Sequence, residues 1–358
     1  MIKYLGSKRT LLPKIGATFK AIPNVRSIID LFSGTSRVGH HLKGLGYQVH
    51  SNDLNSYAHA LATCYVAADR DEKLDTITQL LREMEKVEPV DGYFTETFCR
   101  RSRFFQPHNG MKIDGMREWI EGQDFDWETK AILLVSLMEA ADRVDSTCGL
   151  QMAYLKDWAK RSFNDLELRI PNLTHASIFG KSTSRQSDAL DAVQTLTADA
   201  AYLDPPYNQH KYRGNYHIWD SLILWDKPDV YGVACKRIDI RDHRSVFNQK
   251  KKILDAMSYV VTNLDVNHMV VSFNNEGYIS KDEMVSILST RGDVVVFEND
   301  FKRYVGAQIG IYSPDGEKVG SVSHTRNTEY MFVVSQDIDT ILRLQPLQHL
   351  DISLSEAV

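Results

Sequence analysis

Asp204, Pro205, Pro206 and Tyr207 are consecutive and close an apolar stretch, 199–204. Two prolines cannot donate to a sheet ladder, and they hold the backbone extended. The run therefore presents an acid, a bare carbonyl and an aromatic ring at the carboxyl end of a strand, where α/β proteins bind ligands. That set suits one kind of chemistry. An amino group on an aromatic ring is a poor nucleophile because its lone pair is spread into the ring. Acceptors on its two N–H groups, the Asp204 carboxylate and the Pro205 carbonyl, favour localising that pair on nitrogen, while Tyr207 can stack on the ring. A nitrogen so held can attack a sulfonium methyl in line, with positioning supplying much of the barrier reduction. The bland alternative is a Pro-rich turn after a strand, and the residues upstream weigh against it.

Upstream, Asp30, Leu31, Phe32, Ser33, Gly34, Thr35 and Ser36 lead from a short apolar strand into a helix-like stretch. Glycine lets backbone approach a ligand closely, and a helix start offers free N–H groups. Asp53 ends the next strand, 23 residues after Asp30. An acid there is placed to accept hydrogen bonds from a ribose diol. The loop is not a complete GxGxxG, so these residues alone leave two readings open: a nucleoside site, or a structural βα turn with an acidic cap.

The elements that must position these groups follow from periodicity and punctuation. Strands are predicted at 26–32 and 47–52, with a helix between them to about 45 and another over 54–68. Helices are predicted at 72–87, 113–121 and 127–144, with Ile132, Leu133, Val135, Leu137 and Met138 as core and Asp142, Arg143 and Asp145 as a solvated helix end. Further strands are expected at 176–180, 199–204, 267–273 and 293–298, helices at 187–197 and 280–290, and a closing antiparallel pair from 303–312 and 328–335. The fold class is α/β: a Rossmann-like sheet with a helical insertion and a closing antiparallel pair. The catalytic part is expected from 1–69 plus 175–340, the insertion from 70–174, a basic excursion at 208–262, and a tail at 341–358.

The 358 residues carry 42 Lys and Arg against 47 Asp and Glu, a net charge of −5, which argues against indiscriminate coating of a polyanion but leaves room for a local basic surface. Arg101 and Arg103 sit among aromatics, and Lys236, Arg237, Arg241, Arg244 and Lys250 form a denser basic stretch. Both can neutralise phosphates; both can equally be solvated faces, and the second stretch favours nucleic acid because it follows the acidic-aromatic motif. Lys211, Tyr212 and Arg213 directly follow that motif and are expected in a loop that orders around the target ring, with a polar surface loop as the bland alternative. Four scattered cysteines give no zinc pattern, so no metal is expected. A start that turns polar at once and the lack of a long apolar run point to a cytoplasmic protein away from membranes.

In its motifs and their order the chain resembles the D12-class, or alpha-group, Dam-like DNA adenine-N6 methyltransferases. Tyr4-Leu5-Gly6-Ser7-Lys8 resembles their amino-terminal cofactor motif, Asp30 to Thr35 their Gly loop (with Thr35 where a second Gly often stands), and Asn52-Asp53 their ribose acid. Ser187-Asp188-Ala189 resembles the acid near the cofactor's adenine, Asp204 to Tyr207 the catalytic motif, and Ser272 to Gly277 a later strand-end motif. The resemblance implies S-adenosylmethionine as cofactor, held by Tyr4, Leu5, Gly6, Lys8, Asp30, Phe32, Gly34, Thr35, Ser36, Asp53, Leu54, Asp188 and Ala189. Lys8 and Tyr4 would hold its methionine end. It further implies double-stranded DNA as substrate and a restriction endonuclease partner in a bacterial or phage-infected cell. Two other readings stay open: an RNA guanine-N2 methyltransferase, and a non-catalytic DNA-binding subunit of the same fold.

Overall fold

A computed structural model describes residues 1–208, 212–241, 245–302, 311–312, 318–320 and 326–346, side chains over 300–327 excepted. Eleven strands are named in chain order. They are β1 Ser27–Asp30, β2 Gln48–Asp53, β3 Thr183–Gln186, β4 Ala200–Leu203, β5 Val230–Tyr231, β6 Lys236–Arg237, β7 His268–Asn274, β8 Asp293–Lys302, β9 Ile311–Tyr312, β10 Lys318–Gly320 and β11 Arg326–Ser335. Seven of them form one sheet in the order β3-β2-β1-β4-β7-β11-β8. β3, β2, β1, β4 and β7 are parallel, and β11 runs against both β7 and β8. This is a Rossmann-like methyltransferase sheet.

Apolar runs form the central strands because both faces are covered. Side chains alternate between two cores. Ile28, Val49, Tyr202 and Val270 belong to one, and Ile29, Ala201, Met269 and Val271 to the other. The first core also takes in the helices Pro107–Glu121 and Trp127–Arg143, whose Ile113, Ile132, Leu133 and Met138 are fully buried. The segment expected as an insertion thus shares a core with the sheet. The second core is closed by the helices Ile253–Asn263 and Lys281–Leu288.

Three local expectations are corrected. Residues 176–180 form a turn with Ile178 84% exposed; the strand comes later, as the polar β3, which pairs only with β2 at the sheet edge. The antiparallel partner of 326–335 is β8, 293–302, while β9 pairs with β10 in a separate ribbon. Residues 303–310 lie outside the described residues. The excursion at 208–262 is largely built structure, including the buried helix His217–Leu224. Asp142 and Asp145 are buried instead of solvated. Asp142 accepts from the Lys3 backbone N–H at 3.0 Å, and Asp145 takes the Lys3 ammonium and the Arg161 guanidinium, each at 2.7 Å. The end of a helix in the 70–174 segment thereby anchors the amino-terminal segment that carries Tyr4 and Lys8.

Among the described residues, no helix is long and apolar enough to cross a membrane.

Candidate active site

The carboxyl ends of β1, β2 and β4 open into one cleft. It is lined by residues 4–8, by 30–35 and 52–55, by 187–189, by 204–207, by Tyr212 and Arg213, and by Ser245, Phe247 and Asn248. All thirteen residues expected to bind the cofactor except Ser36 line it, and so do all four of the catalytic motif.

The Gly loop is shaped by backbone. Gly34 has φ +52° and Ser36 φ +57°, two left-handed positions in three residues. The Ser36 N–H closes the turn on the Ser33 carbonyl at 2.6 Å. Asp53 braces the loop from the next strand: one carboxylate oxygen accepts from Gly34 N–H and the other from Asn55 N–H, each at 2.9 Å. Burial nevertheless pushes the Asp53 carboxyl above its ordinary range. Asp30 lies beneath, 1% exposed, accepting from Gly39 N–H at 3.1 Å. Burial first, and then the nearby Asp204 charge, lift it to about 7. Asn52 ties the strand ends together by donating to the Leu31 and Ser187 carbonyls at 3.2 and 3.1 Å. Asp188 caps the short helix Ala189–Ala192 through Leu190 N–H at 2.8 Å.

The opposite wall is aromatic. Tyr4 is stacked between Tyr212 and Tyr216, with centroids 5.3 and 4.5 Å away, and its ring faces Gly34. Tyr216 Oη accepts from the Leu5 N–H at 2.6 Å, which fixes the amino-terminal motif against this wall. Phe32 meets Phe247 edge-on at 5.0 Å.

Asp204 reaches this cleft with its side chain 21% exposed, and Lys8 Nζ stands 3.2 Å from its Oδ1. Burial dominates and lifts the Asp204 carboxyl to about 6, although Lys8 pulls the other way. Lys8 is itself shared with Glu329 of β11, and the two carboxylates hold its ammonium charged against the cost of burial. Lys8, expected at the methionine end of the cofactor, lines the cleft with its ammonium placed between Asp204 and Glu329. Tyr207 packs on Phe273 at 4.8 Å and accepts from Asn274 Nδ2 at 2.9 Å.

The cations expected to meet nucleic acid are scattered in role. Arg101 and Lys250 are exposed. Lys236 is half-buried in β6. Arg103 lies over Trp158 at 4.9 Å and Arg241 over Tyr231 at 3.8 Å. Arg213 pairs with Asp239 at 2.8 Å at the cleft wall. Tyr212 belongs to the cleft wall itself, stacked on Tyr4. Arg237 is a correction: it is 2% exposed and its guanidinium is bound by Asp226 at 2.7 Å and by Asp239 at 3.1 and 3.0 Å, so it holds the excursion together and is not available to phosphate. Lys211 and Arg244 lie outside the described residues.

Sequence reasoning missed Glu329, Ser245, Phe247 and Asn248. Phe247 stands three residues before the basic triplet Lys250–Lys252, whose charge drew attention from it, and nothing adjacent to Glu329 marks it as part of a site. No group of three or more potential metal ligands converges among the described residues.

The chemistry of the cleft fits S-adenosylmethionine. Acids stand at Asp53 and Asp188 for hydroxyl and amino donors, and the wall is aromatic. Ser33 Oγ and Asn52 Oδ1, on two lining residues, are buried without a hydrogen-bond partner.

Comparison with known proteins agrees with this geometry. Over 329 residues the chain is 30% identical to the modification methylase StsI of Streptococcus sanguinis, covering 85% of this chain and 49% of that one. It is 29% identical over 284 residues to the Type II methyltransferase M.NlaIII of Neisseria lactamica, covering 77% and 83%. It is 28% identical over 327 residues to M.CviAII of Paramecium bursaria Chlorella virus 1, covering 88% and 96%. The chain therefore spans about half the length of StsI and most of the other two. The sequence model for D12 class N6 adenine-specific DNA methyltransferases matches residues 4–287, and the chain belongs to that family.

Proposed function

We propose that the chain is a site-specific DNA methyltransferase that moves a methyl group from S-adenosylmethionine to N6 of an adenine flipped out of duplex DNA, within a restriction-modification system. The observation that carries this is the meeting, in one cleft, of the braced Gly loop with an acid and an aromatic held by long-range partners. The relatives named as Type II methyltransferases support the setting.

Bound S-adenosylmethionine supplies an electrophilic sulfonium methyl. The Gly loop, Asp53 and Asp188 orient it along the β1 and β2 edge. The N6 of a stacked adenine is out of reach, so the base must leave the duplex at a cost of about a few kcal/mol, offset by new contacts. Tyr207 stacks on the extruded base. Asp204 and the Pro205 carbonyl accept from the two N6 hydrogens and draw the lone pair onto nitrogen. That pair would form the bond to the methyl carbon as the carbon's bond to the sulfonium sulfur breaks and leaves a neutral thioether, and the N6 proton would depart by way of the Asp204 carboxylate. We assign DNA contact to exposed cations such as Arg101 and Lys250, on the segments 70–174 and 208–262, with a restriction endonuclease as partner of the system. The DNA-adenine reading is favoured over RNA guanine-N2 transfer by the family match. The intact Asp204 and Tyr207 weigh against a binding-only subunit.

Expression in a host free of N6-methyladenine, followed by modification-sensitive sequencing, tests the proposal. The expected result is N6-methyladenine confined to one short motif. Unmodified DNA, or methyl groups found only on ribosomal guanine, would sink it.

A further inference from the structure

Glu329 lies beyond the 4–287 segment that the family model matches, yet it contacts the residue that contacts the catalytic acid. In the register of β11 against β7 it stands directly opposite Asn274. Directly opposed residues of an antiparallel pair project from the same face. Asn274 donates to Tyr207 Oη at 2.9 Å, and Glu329 accepts from Lys8, whose Nζ is 3.2 Å from Asp204. One cross-strand pair thus grips both ends of the Asp204 to Tyr207 motif, one directly and one through a lysine.

We propose that Glu329 is a positioning residue for methyl transfer: it shares the Lys8 ammonium with Asp204, so that lysine aims the Asp204 carboxylate without occupying its capacity to accept from the substrate amine. This rests on the methyl-transfer reading above. A lysine paired with Asp204 alone would compete with the N6 hydrogens for the same lone pairs. A second carboxylate on the far side of the ammonium loosens that competition and keeps the lysine in place. The Lys8 and Glu329 side chains are only 8% and 13% exposed, so water screens the triad little.

Asp204 faces Lys8 from the amino-terminal segment, Asp30 from β1, Tyr202 from β4, Tyr207 from its own motif, Tyr212 from the following helix and Glu329 from β11. Its ionised form is the acceptor, so activity falls as pH drops through its titration near 6. Glu329 raises that titration point. Removing its charge, and giving Lys8 wholly to Asp204, moves the titration to lower pH and makes the carboxylate a weaker acceptor.

The test compares wild type with Glu329→Gln in two measurements. One is the pH profile of single-turnover methylation of a duplex. The other is a carbon-13 carboxyl titration of the cofactor-free protein, with Asp204→Asn identifying the resonance. Glu329→Gln is expected to lower the plateau rate about tenfold and to move both the acid limb and the Asp204 titration to lower pH. Cofactor Kd and the KM for DNA should stay within about twofold of wild type. Glu329→Asp, which keeps the charge one methylene further back, should move both the same way by less, and stands in if the Gln variant does not fold. A slower rate with an unmoved limb and titration is what a merely structural contact gives, and it overturns the proposal; so does a shift to higher pH. If wild type methylates no DNA, the functional reading fails and the carboxyl titration alone decides whether Glu329 controls Asp204.

Discussion

The two halves of the cleft are held in different ways. On the β1 and β2 side, shape comes from backbone conformation and short-range hydrogen bonds: Gly34 and Ser36 turn left-handed, and Asp53 and Asp30 brace nearby N–H groups. On the β4 side, the groups of the motif are side chains held by other side chains from distant parts of the chain: Asp204 by Lys8, Lys8 by Glu329, Tyr207 by Asn274. A backbone-built surface recognises a ligand that is always the same. A side-chain lattice can hold an acid ionised and aimed, which the chemical step requires. Changes in the first half should therefore weaken cofactor binding, and changes in the second should slow transfer.

The sharpest way to break that division is Asp204→Ala. It should cut the single-turnover rate by about 10³-fold, the order of a deleted transition-state contact, while calorimetry finds cofactor affinity within about threefold of wild type. A matching loss of affinity would mean the halves are not separable. Tyr207 comes next. Tyr207→Ala should lose about 10- to 100-fold in rate on duplex DNA, the scale of one base–aromatic stack. Tyr207→Phe, which gives up only the hydrogen bond from Asn274, should lose about fivefold. Equal losses in the two would show that the ring does not stack. The smallest effect belongs to the other half. Gly34→Ala meets no steric block, since the nearest atoms of Tyr4 are 3.6 Å from the added carbon, but it places an L-residue at φ +52°. That strain of about 1 kcal/mol should weaken cofactor binding about fivefold with the saturated rate unchanged. A fall in saturated rate with normal affinity would assign the loop to the chemical step.

The same division explains what could be read in advance. β1, the Gly loop, β2 and Asp53 follow one another along the chain, so their pattern is visible as spacing, and Asp204 to Tyr207 is visible because four unusual neighbours are adjacent. Glu329 carries no such mark; its role arises from a register in which it faces Asn274 across β7 and β11. The strand β3 was missed for a related reason. As an edge strand with one neighbour it needs few apolar residues, so Thr183 to Gln186 reads as loop, whereas the apolar Ile178 and Phe179 nearby stay partly in solvent. Arg237 misled because charge density says nothing of partners: Asp226 and Asp239, close by in the chain, consume its guanidinium in the interior. The buried acids at 142 and 145 hid in the same way, since the cation they hold comes from Lys3.

The reversed course of β11 also sets an order of events during synthesis. Lys8 emerges early and Glu329 emerges 321 residues later. The Gly loop and its brace come from the first two strands, whereas the clamp on Asp204 is complete only with β11, the last strand in chain order, which lies between β7 and β8. In order of synthesis the Gly loop and Asp53 come first, and the residue that completes the clamp on Asp204 comes nearly last. Chemical competence is thereby tied to completion of the sheet.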